Sequence, residues 1–191
     1  LGFFMLRFYS LSWVLAFGLG WYVMKPIFMR ENESVDSLDK LFVYTLVATM
    51  LGARLGHVLF YQSELFYQDP LSILLPISTK PTLHFTGFAG LASHGATIAL
   101  IFTTLYYSYK IIKKNPFWVY DRIGIVVALG GAFVRIGNFF NSEIIGKPAP
   151  ENSPFAVRFP QQSTEYVAIV PRYPTQLFEA GGYFLLFILF K

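Results

Sequence analysis

The sequence predicts an all-α fold, a polytopic bundle of transmembrane helices, and three observations support this prediction. The 191 residues are 54% hydrophobic and only 14% charged, whereas typical soluble domains contain about 25% charged residues. The mean hydropathy is +0.49, on the apolar side of the scale. Apolar runs also recur along the chain, and each is close to the length of about 20 residues that a helix needs to cross a bilayer.

Five segments have this length and composition. Four of them are complete, at residues 8–28, 38–61, 91–112 and 117–140. The fifth begins near Thr175 and is still apolar where the sequence stops, at Lys191. We therefore expect at least five spanning helices in a single integral membrane domain over residues 1–191, truncated within the fifth helix, with the C-terminal part of the domain missing.

The links between these helices predict their orientation. The link "KPIFMRENESVDSLDK" (25–40) joins the first two helices and contains a serine and aspartate helix-start signal, and "YKIIKKNP" (109–116) joins the third to the fourth. Both links are rich in lysine and arginine, whereas the 62–90 link contains only Lys80. Because basic links remain in the cytoplasm, we expect both there, with the N-terminus, the 62–90 link and a periplasmic or extracellular loop at 141–174 outside.

Several function classes are disfavoured by what the sequence lacks. It has no cysteine, which excludes disulfides, thiolate metal sites and a cysteine nucleophile within the chain. The basic residues form no dense run of the kind that binds nucleic acid, so no nucleic-acid partner is expected. Motifs of the form H-E-x-x-H and G-x-S-x-G are absent, as is a histidine followed five residues later by an aspartate. Zinc proteases, serine hydrolases and that type of acyltransferase are therefore disfavoured.

Polar residues accumulate where the fourth apolar helix ends, in "ALGGAFVRIGNFFNSEIIGKP" (128–148). Residues three and four apart share a helix face, so Arg135, Asn138 and Asn141 follow one stripe, and Glu143 comes shortly after it. A planar guanidinium flanked by amides suits bidentate contact with a phosphate. The alternative is a polar seam that joins neighbouring helices. The spacing alone leaves both interpretations open.

Arg54 is a second arginine within an apolar helix, where charged groups usually mark function. It lies in "GARLGHVLFY" (52–61) between Gly52 and Gly56, which indicates close packing with the arginine facing the bundle interior. It is a candidate for a second anion contact or for one half of a buried ion pair.

His94 lies among small residues at the outer mouth of the third helix, in "GFAGLASHGATIAL" (87–100). Histidine titrates near neutral pH and can act as a general base. The alternative is an interfacial residue that only donates or accepts a hydrogen bond. Glu179, near the start of the fifth helix, has a structural explanation in the helix dipole, whereas Glu143 has no such obvious explanation.

With these residues in view, the chain resembles the prolipoprotein diacylglyceryl transferase family. The family signature reads about G-x-G-R-x-G-N-F-x-N-x-E-x-x-G. The stretch "GAFVRIGNFFNSEIIG" (131–146) carries seven of its residues: Arg135, Gly137, Asn138, Phe139, Asn141, Glu143 and Gly146. Four further blocks resemble the family's in order: "LRFYSLSWVLAF" (6–17), "GARLGHVLFY" (52–61), "GLASHGATI" (90–98) and "RYPTQLFEA" (172–180). The chain departs from the family pattern at His57, which replaces a tyrosine, at Ala96, which replaces a glycine, and at Tyr173, which replaces a histidine.

The resemblance implies an activity and its partners. The family transfers the diacylglyceryl group of phosphatidylglycerol to the thiol of the lipobox cysteine in preprolipoprotein signal peptides. The products are a thioether and glycerol 1-phosphate. It also implies a multi-pass protein of the bacterial inner membrane, surrounded by membrane lipids, with its active site facing the outer leaflet. No metal or organic cofactor is implied.

The resemblance further suggests a role for each candidate residue. Arg135 is expected to contact the phosphate and to act in catalysis, with Arg54 in support. His94 is the candidate base for the substrate thiol, and Glu143 is the alternative base. Hydrogen bonds to the glycerol or phosphate oxygens are expected from Asn138, Asn141 and Tyr9.

Two other functions remain open at this stage. A non-catalytic membrane transporter or helix-packing subunit would use the buried arginines as an anion site or to join helices. An inverted repeat would favour a transporter, and none is visible in the sequence. A different phospholipid-processing enzyme would differ from the transferase only in its acceptor.

Overall fold

Helices account for most of the chain in the computed structural model, which describes residues 8–75, 77–85, 90–159 and 169–191, with side chains from Ser10 onward. The elements in chain order are α1 (Phe8–Arg30), α2 (Val35–Tyr61), α3 (Leu65–Gln68), α4 (Leu71–Leu74), β1 (Ile77–Ser78), β2 (His84–Phe85), α5 (Ser93–Tyr106), a π-helix (Tyr107–Ile112), α6 (Pro116–Phe140) and α7 (Thr175–Phe190). The prediction of a mostly helical chain is confirmed. Two short strands that the sequence did not predict pair antiparallel, with Ile77 opposite Phe85.

Three of the helices are long and apolar enough to cross a membrane: Ser10–Arg30, Val35–Tyr61 and Pro116–Phe140. They correspond to three of the predicted spans. The segment predicted at 91–112 instead divides at Tyr106, where the α-helix gives way to the π-helix. Helix α7 is apolar but shorter, so the prediction of at least five spanning helices remains a prediction.

The chain forms two compact units, which are described separately. The terminal unit comprises Leu1–Glu31 and Asp121–Lys191, and the central unit comprises Asn32–Tyr120. The sequence predicts a single domain, and that stays a prediction.

Close contact between α2 and α5 organises the central unit, and glycines make it possible. A Cβ atom on Gly56 would lie 2.6 Å from the Cα atom of Gly95, and one on Gly52 would lie 2.7 Å from the carbonyl oxygen of Gly95. Gly52 and Gly56 are four residues apart, which is the spacing that lets two helix backbones approach in a bilayer. The close packing predicted from the glycines beside Arg54 is therefore confirmed.

In the terminal unit, α6 contacts both α1 and α7 through small residues. A Cβ atom on Gly130 would lie 3.7 Å from that of Ala16 on α1, and one on Gly131 would lie 3.2 Å from the ring of Tyr183 on α7. At the other end of α6, Arg122 donates to both carboxylate oxygens of Glu31, at 2.7 and 2.8 Å. These contacts place α6 between its two neighbours.

The segment that follows α6 folds back on itself by backbone hydrogen bonds. Val157 and Arg172 exchange two such bonds, at 2.9 and 2.8 Å, and the Gly146 N–H donates to the Tyr173 carbonyl oxygen at 3.1 Å. An exposed ion pair between Arg158 and Glu151, at 2.7 Å, lies on this segment. The backbone bonds hold the start of α7 beside the end of α6, which brings together the two helices that carry most of the polar candidate residues.

Asp69 organises the loop between α3 and the hairpin of β1 and β2. Its carboxylate accepts hydrogen bonds from the backbone N–H and the hydroxyl of Thr79, both at 2.8 Å, and from the hydroxyl of Ser78 at 3.2 Å. The backbone N–H of Thr79 lowers the pKa of Asp69 most, and the hydroxyls of Thr79 and Ser78 add to the effect. The charged carboxylate is thus part of the fold of this loop.

Candidate functional site

A polar cluster forms where α6 ends, and a strained turn helps to build it. Beyond Phe140 the backbone adopts positive φ angles at Ser142 (55°) and Ile144 (53°). Such conformations cost about 1–3 kcal/mol each for residues other than glycine, and they tend to occur at functional sites. The turn brings Glu143 back onto the helix end, where its N–H donates to the Asn138 carbonyl oxygen at 2.9 Å.

The side chains of the cluster converge on the Glu143 carboxylate. Asn138 Nδ2 donates to Glu143 Oε2 at 2.9 Å, and Asn141 Nδ2 donates to Oε1 at 3.2 Å. Arg135 Nη1 approaches Asn138 Oδ1 at 3.4 Å. The structure thus brings together all four polar residues that the sequence placed on or after the stripe.

Arg135 also forms an ion pair that the sequence analysis missed. Its Nε atom lies 2.5 Å from Glu179 Oε2 on α7, and the two side chains are 26% and 43% exposed. Glu179 was explained by the helix dipole alone, but it is the fifth residue of α7 and so lies beyond the first turn. The pair joins α6 to α7, as a polar seam between helices would.

Gln176 makes a second tie between α7 and the cluster. Its side chain is fully buried, and Nε2 donates to the Glu143 carbonyl oxygen at 2.5 Å. Its amide oxygen has no hydrogen-bond partner among the residues that the structure describes. Gln176 and Glu179 are three residues apart, so they share one face of α7. This spacing of polar residues in an apolar helix was the signal that could have identified them in the sequence.

Arg54 has a different environment, in the central unit. It is buried, and it donates to the backbone carbonyl oxygens of Ser72 (2.7 Å), Ile73 (3.0 Å) and Gly90 (3.4 Å). Ser72 and Ile73 belong to the short helix α4, whose last carbonyls have no partner within the helix. The observed contacts therefore tie the 62–90 link to α2. A contact between Arg54 and lipid remains a prediction.

His94 lies at the mouth of an open cavity in the central unit. It is the second residue of α5, as expected for a residue at a helix start. The cavity has a volume of about 320 Å³ and is lined by His57, Tyr61, Leu91, Ala92, Ser93 and His94. The His94 ring packs edge-on against Phe60, with 4.9 Å between ring centroids, and lies 5.8 Å from the ring of Tyr61. An exposed imidazole beside open space is accessible to a substrate proton.

Two further expectations concern the Tyr9 side chain and a metal site. The backbone of Tyr9 belongs to α1, but its side chain lies outside the described residues. Within the described part of the chain, no group of three or more histidine, cysteine, aspartate or glutamate side chains could hold a metal ion. Arg135 and His94 belong to different units.

Comparison with known proteins identifies the family. The sequence model of the prolipoprotein diacylglyceryl transferase family matches residues 1–191. A phosphatidylglycerol–prolipoprotein diacylglyceryl transferase from Chloroherpeton thalassium is 35% identical over 182 residues, which are 95% of this chain and 62% of the relative. The proteins of the same name from Porphyromonas gingivalis (38% over 185 residues; 92% of this chain and 61% of the relative) and Tolumonas auensis (35% over 181; 95% and 64%) are similarly related.

The matches differ in how much of each protein they cover. The chain spans less than two thirds of the length of these relatives, between 61% and 64%. The family model nevertheless covers every residue of it. The chain therefore belongs to the prolipoprotein diacylglyceryl transferase family.

Proposed function

We propose that the intact protein transfers the diacylglyceryl group of phosphatidylglycerol to the thiol of the lipobox cysteine of preprolipoproteins. The observation that carries this proposal is the match of the family model to the whole chain, together with the shared name of the relatives. That name also favours a transferase over a transporter or a helix-packing subunit.

The reaction sets two chemical requirements for the site. The thiol must lose its proton to a base, because the thiolate is the nucleophile. The thiolate sulfur then attacks the glyceryl carbon that carries the phosphate ester, and a carbon–sulfur bond forms as the carbon–oxygen bond breaks. The electron pair leaves with glycerol 1-phosphate, so the site must stabilise negative charge on the departing phosphate.

The cluster at the end of α6 supplies groups of the right kind for the phosphate. The guanidinium of Arg135 has five N–H donors in a planar fork, and the observed contacts engage Nε with Glu179 and Nη1 with Asn138. Asn138 and Asn141 each place one amide nitrogen on Glu143, and each such nitrogen has a second N–H for a glycerol or phosphate oxygen. We assign the phosphate to Arg135 and expect Tyr9 to assist, whereas the contacts of Arg54 with backbone carbonyl oxygens favour a structural role for that arginine.

His94 is the proposed base for the thiol. It is exposed beside the cavity, and a base must come within hydrogen-bond reach of the proton that it removes. Glu143 is the alternative base. Its carboxylate accepts one amide hydrogen bond on each oxygen, and each oxygen has a second lone pair that could accept a thiol proton. We prefer His94 because it lies beside the open cavity, whereas Asn138 and Asn141 hold Glu143 within the cluster.

The setting in the membrane is also part of the proposal. We propose at least five spanning helices in the bacterial inner membrane, forming a single domain with the active site at the outer leaflet. Cysteines placed at Asn32 and Asn152, both exposed, would test the orientation in this cysteine-free chain. A membrane-impermeant maleimide is expected to label the cysteine at position 152 from outside and not the one at position 32. Labelling of position 32 from outside would contradict the orientation.

A transfer assay tests the activity directly. The intact protein in detergent is incubated with phosphatidylglycerol carrying radiolabelled acyl chains and a peptide containing a lipobox cysteine. We expect the label to move to the peptide and glycerol 1-phosphate to be released. A matched peptide with serine in place of the cysteine is the control and should gain no label. If the cysteine peptide also gains none, or if phosphatidylethanolamine serves equally well as donor, the proposed reaction is wrong.

A further inference from the structure

We infer that Glu179 is a positioning residue, which holds the Nε edge of Arg135 so that the opposite end of the guanidinium faces the lipid phosphate. The inference rests on the proposed function, because it concerns how the same arginine meets its substrate. It starts from the ion pair of 2.5 Å between Arg135 Nε and Glu179 Oε2.

One face of α7 contacts α6, and the turn that follows α6, at three successive positions. Tyr183 packs against Gly131, Glu179 pairs with Arg135, and Gln176 donates to the Glu143 carbonyl oxygen. Contacts on both sides of Glu179 along the helix thus set its place relative to Arg135. Packing on both sides therefore fixes the place of Glu179 on α7 beside Arg135, although the Glu179 side chain itself is 43% exposed.

The donor geometry of Arg135 leaves one end suited to phosphate. Glu179 takes the Nε edge, and Asn138 Oδ1 lies 3.4 Å from Nη1. The Nη1 and Nη2 atoms together form the end of the fork, and two parallel N–H bonds from such a pair of nitrogens match two phosphate oxygens. Without an acceptor at Nε, the long arginine side chain would adopt other rotamers, and this end would no longer be aligned.

The charges of the cluster distinguish a geometric role from an electrostatic one. Arg135 carries one positive charge, whereas Glu143 and Glu179 bring two carboxylates to its surroundings. A second carboxylate gives a phosphate no electrostatic advantage. What Glu179 supplies is an oxygen at the correct distance from Nε, and a glutamine oxygen at the same reach can accept the same hydrogen bond.

Two conservative substitutions distinguish the effect of the length of the Glu179 side chain from the effect of its charge. Glu179→Asp keeps the charge but shortens the side chain by one methylene, whereas Glu179→Gln keeps the length and removes the charge. We expect Glu179→Asp to lower kcat/KM for phosphatidylglycerol by about 10²-fold, mainly through kcat, since a displacement of about 1 Å has effects of that size. Glu179→Gln is expected to retain activity to within about threefold, because an isosteric acceptor keeps the orientation.

The same two substitutions at Glu151 are the matched control, because Glu151 forms an exposed ion pair with Arg158 on the segment that follows α6. They should change kcat/KM by less than twofold, on the order expected for a surface pair. Thermal unfolding in detergent confirms that every variant is folded.

Each other outcome overturns the inference. Loss in Glu179→Gln with retention in Glu179→Asp would assign Glu179 a role through its charge. A lower KM for Glu179→Gln than for the unsubstituted protein would make the carboxylate a competitor of the phosphate. Equal effects of both substitutions, or none, would reduce the pair to helix packing. In all of these cases the unsubstituted protein transfers the diacylglyceryl group. If it does not, the proposed function itself fails.

Discussion

Arg54 and Arg135, the two arginine candidates for the phosphate, have opposite kinds of partner. Arg54, in the central unit, donates to three backbone carbonyl oxygens and is buried. Arg135, in the terminal unit, contacts the side-chain oxygens of Glu179 and Asn138 and is partly exposed. Both lie near glycines in the sequence, so that context alone does not separate them.

The difference in partners indicates what each arginine can do. A backbone carbonyl stays where the fold places it, and exchanging it for a ligand would leave a buried acceptor unpaired, at about 1–3 kcal/mol. The side-chain oxygen of Asn138 can rotate away from Nη1, so the partly exposed guanidinium can gain a phosphate at its Nη end while Glu179 keeps Nε. We therefore place phosphate binding at Arg135 and structural support at Arg54.

The largest effect is expected from substitutions of Arg135. Arg135→Ala should lower the rate of diacylglyceryl transfer by about 10²–10³-fold, as the loss of a donor to developing negative charge does. Arg135→Lys keeps the charge but loses the bidentate fork, so it should also impair transfer, though less. The initial rate with labelled phosphatidylglycerol is the measurement, and Arg158→Lys is the control because Arg158 lies in an exposed pair. If Arg135→Ala transfers the diacylglyceryl group at a near-normal rate, Arg135 does not bind the phosphate, and its role is structural like that of Arg54.

A loss of about 10²-fold at pH 7 is expected for His94→Gln, near the lower end of what a general base contributes. The free cysteine thiol has a pKa of about 8.5, so part of the activity should return as rising pH ionises the substrate without a base. The pH profile of kcat/KM measures this. His84→Gln is the control, since the His84 ring lies in its own hairpin, where Nδ1 is 2.8 Å from the Thr82 carbonyl oxygen. An unchanged profile at full activity would transfer the role to Glu143 or to water.

The substitution of lysine for Arg54 in the central unit should lower the stability of the fold instead of the rate of transfer. Arg54→Lys cannot satisfy the carbonyl oxygens of Ser72, Ile73 and Gly90 together, and each unpaired acceptor costs about 1–3 kcal/mol. We expect a lower unfolding temperature in detergent and faster hydrogen exchange in α4, with transfer per folded molecule close to normal. If Arg54→Lys loses transfer at an unchanged unfolding temperature, Arg54 contacts the lipid and the two arginines are alike.

The smallest effect concerns the loop that Arg54 supports. The pKa of Asp69 is lowered from its ordinary value of 3.8, chiefly by the Thr79 N–H. A lowered pKa means that the charged carboxylate stabilises the fold above pH 3.8, and that this contribution is lost as the pH falls through the lower folded value. Asp69→Asn should remove this dependence, which hydrogen exchange of Thr79 between pH 5 and 3 would measure. An equal pH dependence in the variant would assign it to another group.

Most of the helices, and much of the candidate site, could be predicted from local patterns. The apolar runs at 8–28, 38–61 and 117–140 agree with α1, α2 and α6 to within three residues at each end. The serine helix-start signal before α2 is confirmed by Ser34, whose hydroxyl oxygen accepts a bond from the Ser37 N–H at 3.1 Å. These features depend on contacts between residues a few positions apart, so composition and spacing are sufficient to predict them.

The sequence by itself therefore determined the helical membrane-type fold and the polar stripe of Arg135, Asn138 and Asn141, because hydrophobicity and helix period act locally. Only the tertiary structure decided the partners of each charge. It placed Glu179 on Arg135, carbonyl oxygens on Arg54, and Gln176 beneath Glu143. These partners lie far from one another along the chain, and they meet because helices pack through glycine contacts and a strained turn redirects the backbone after α6. A charged group's role depends on which acceptor reaches it, and that is a property of the packing.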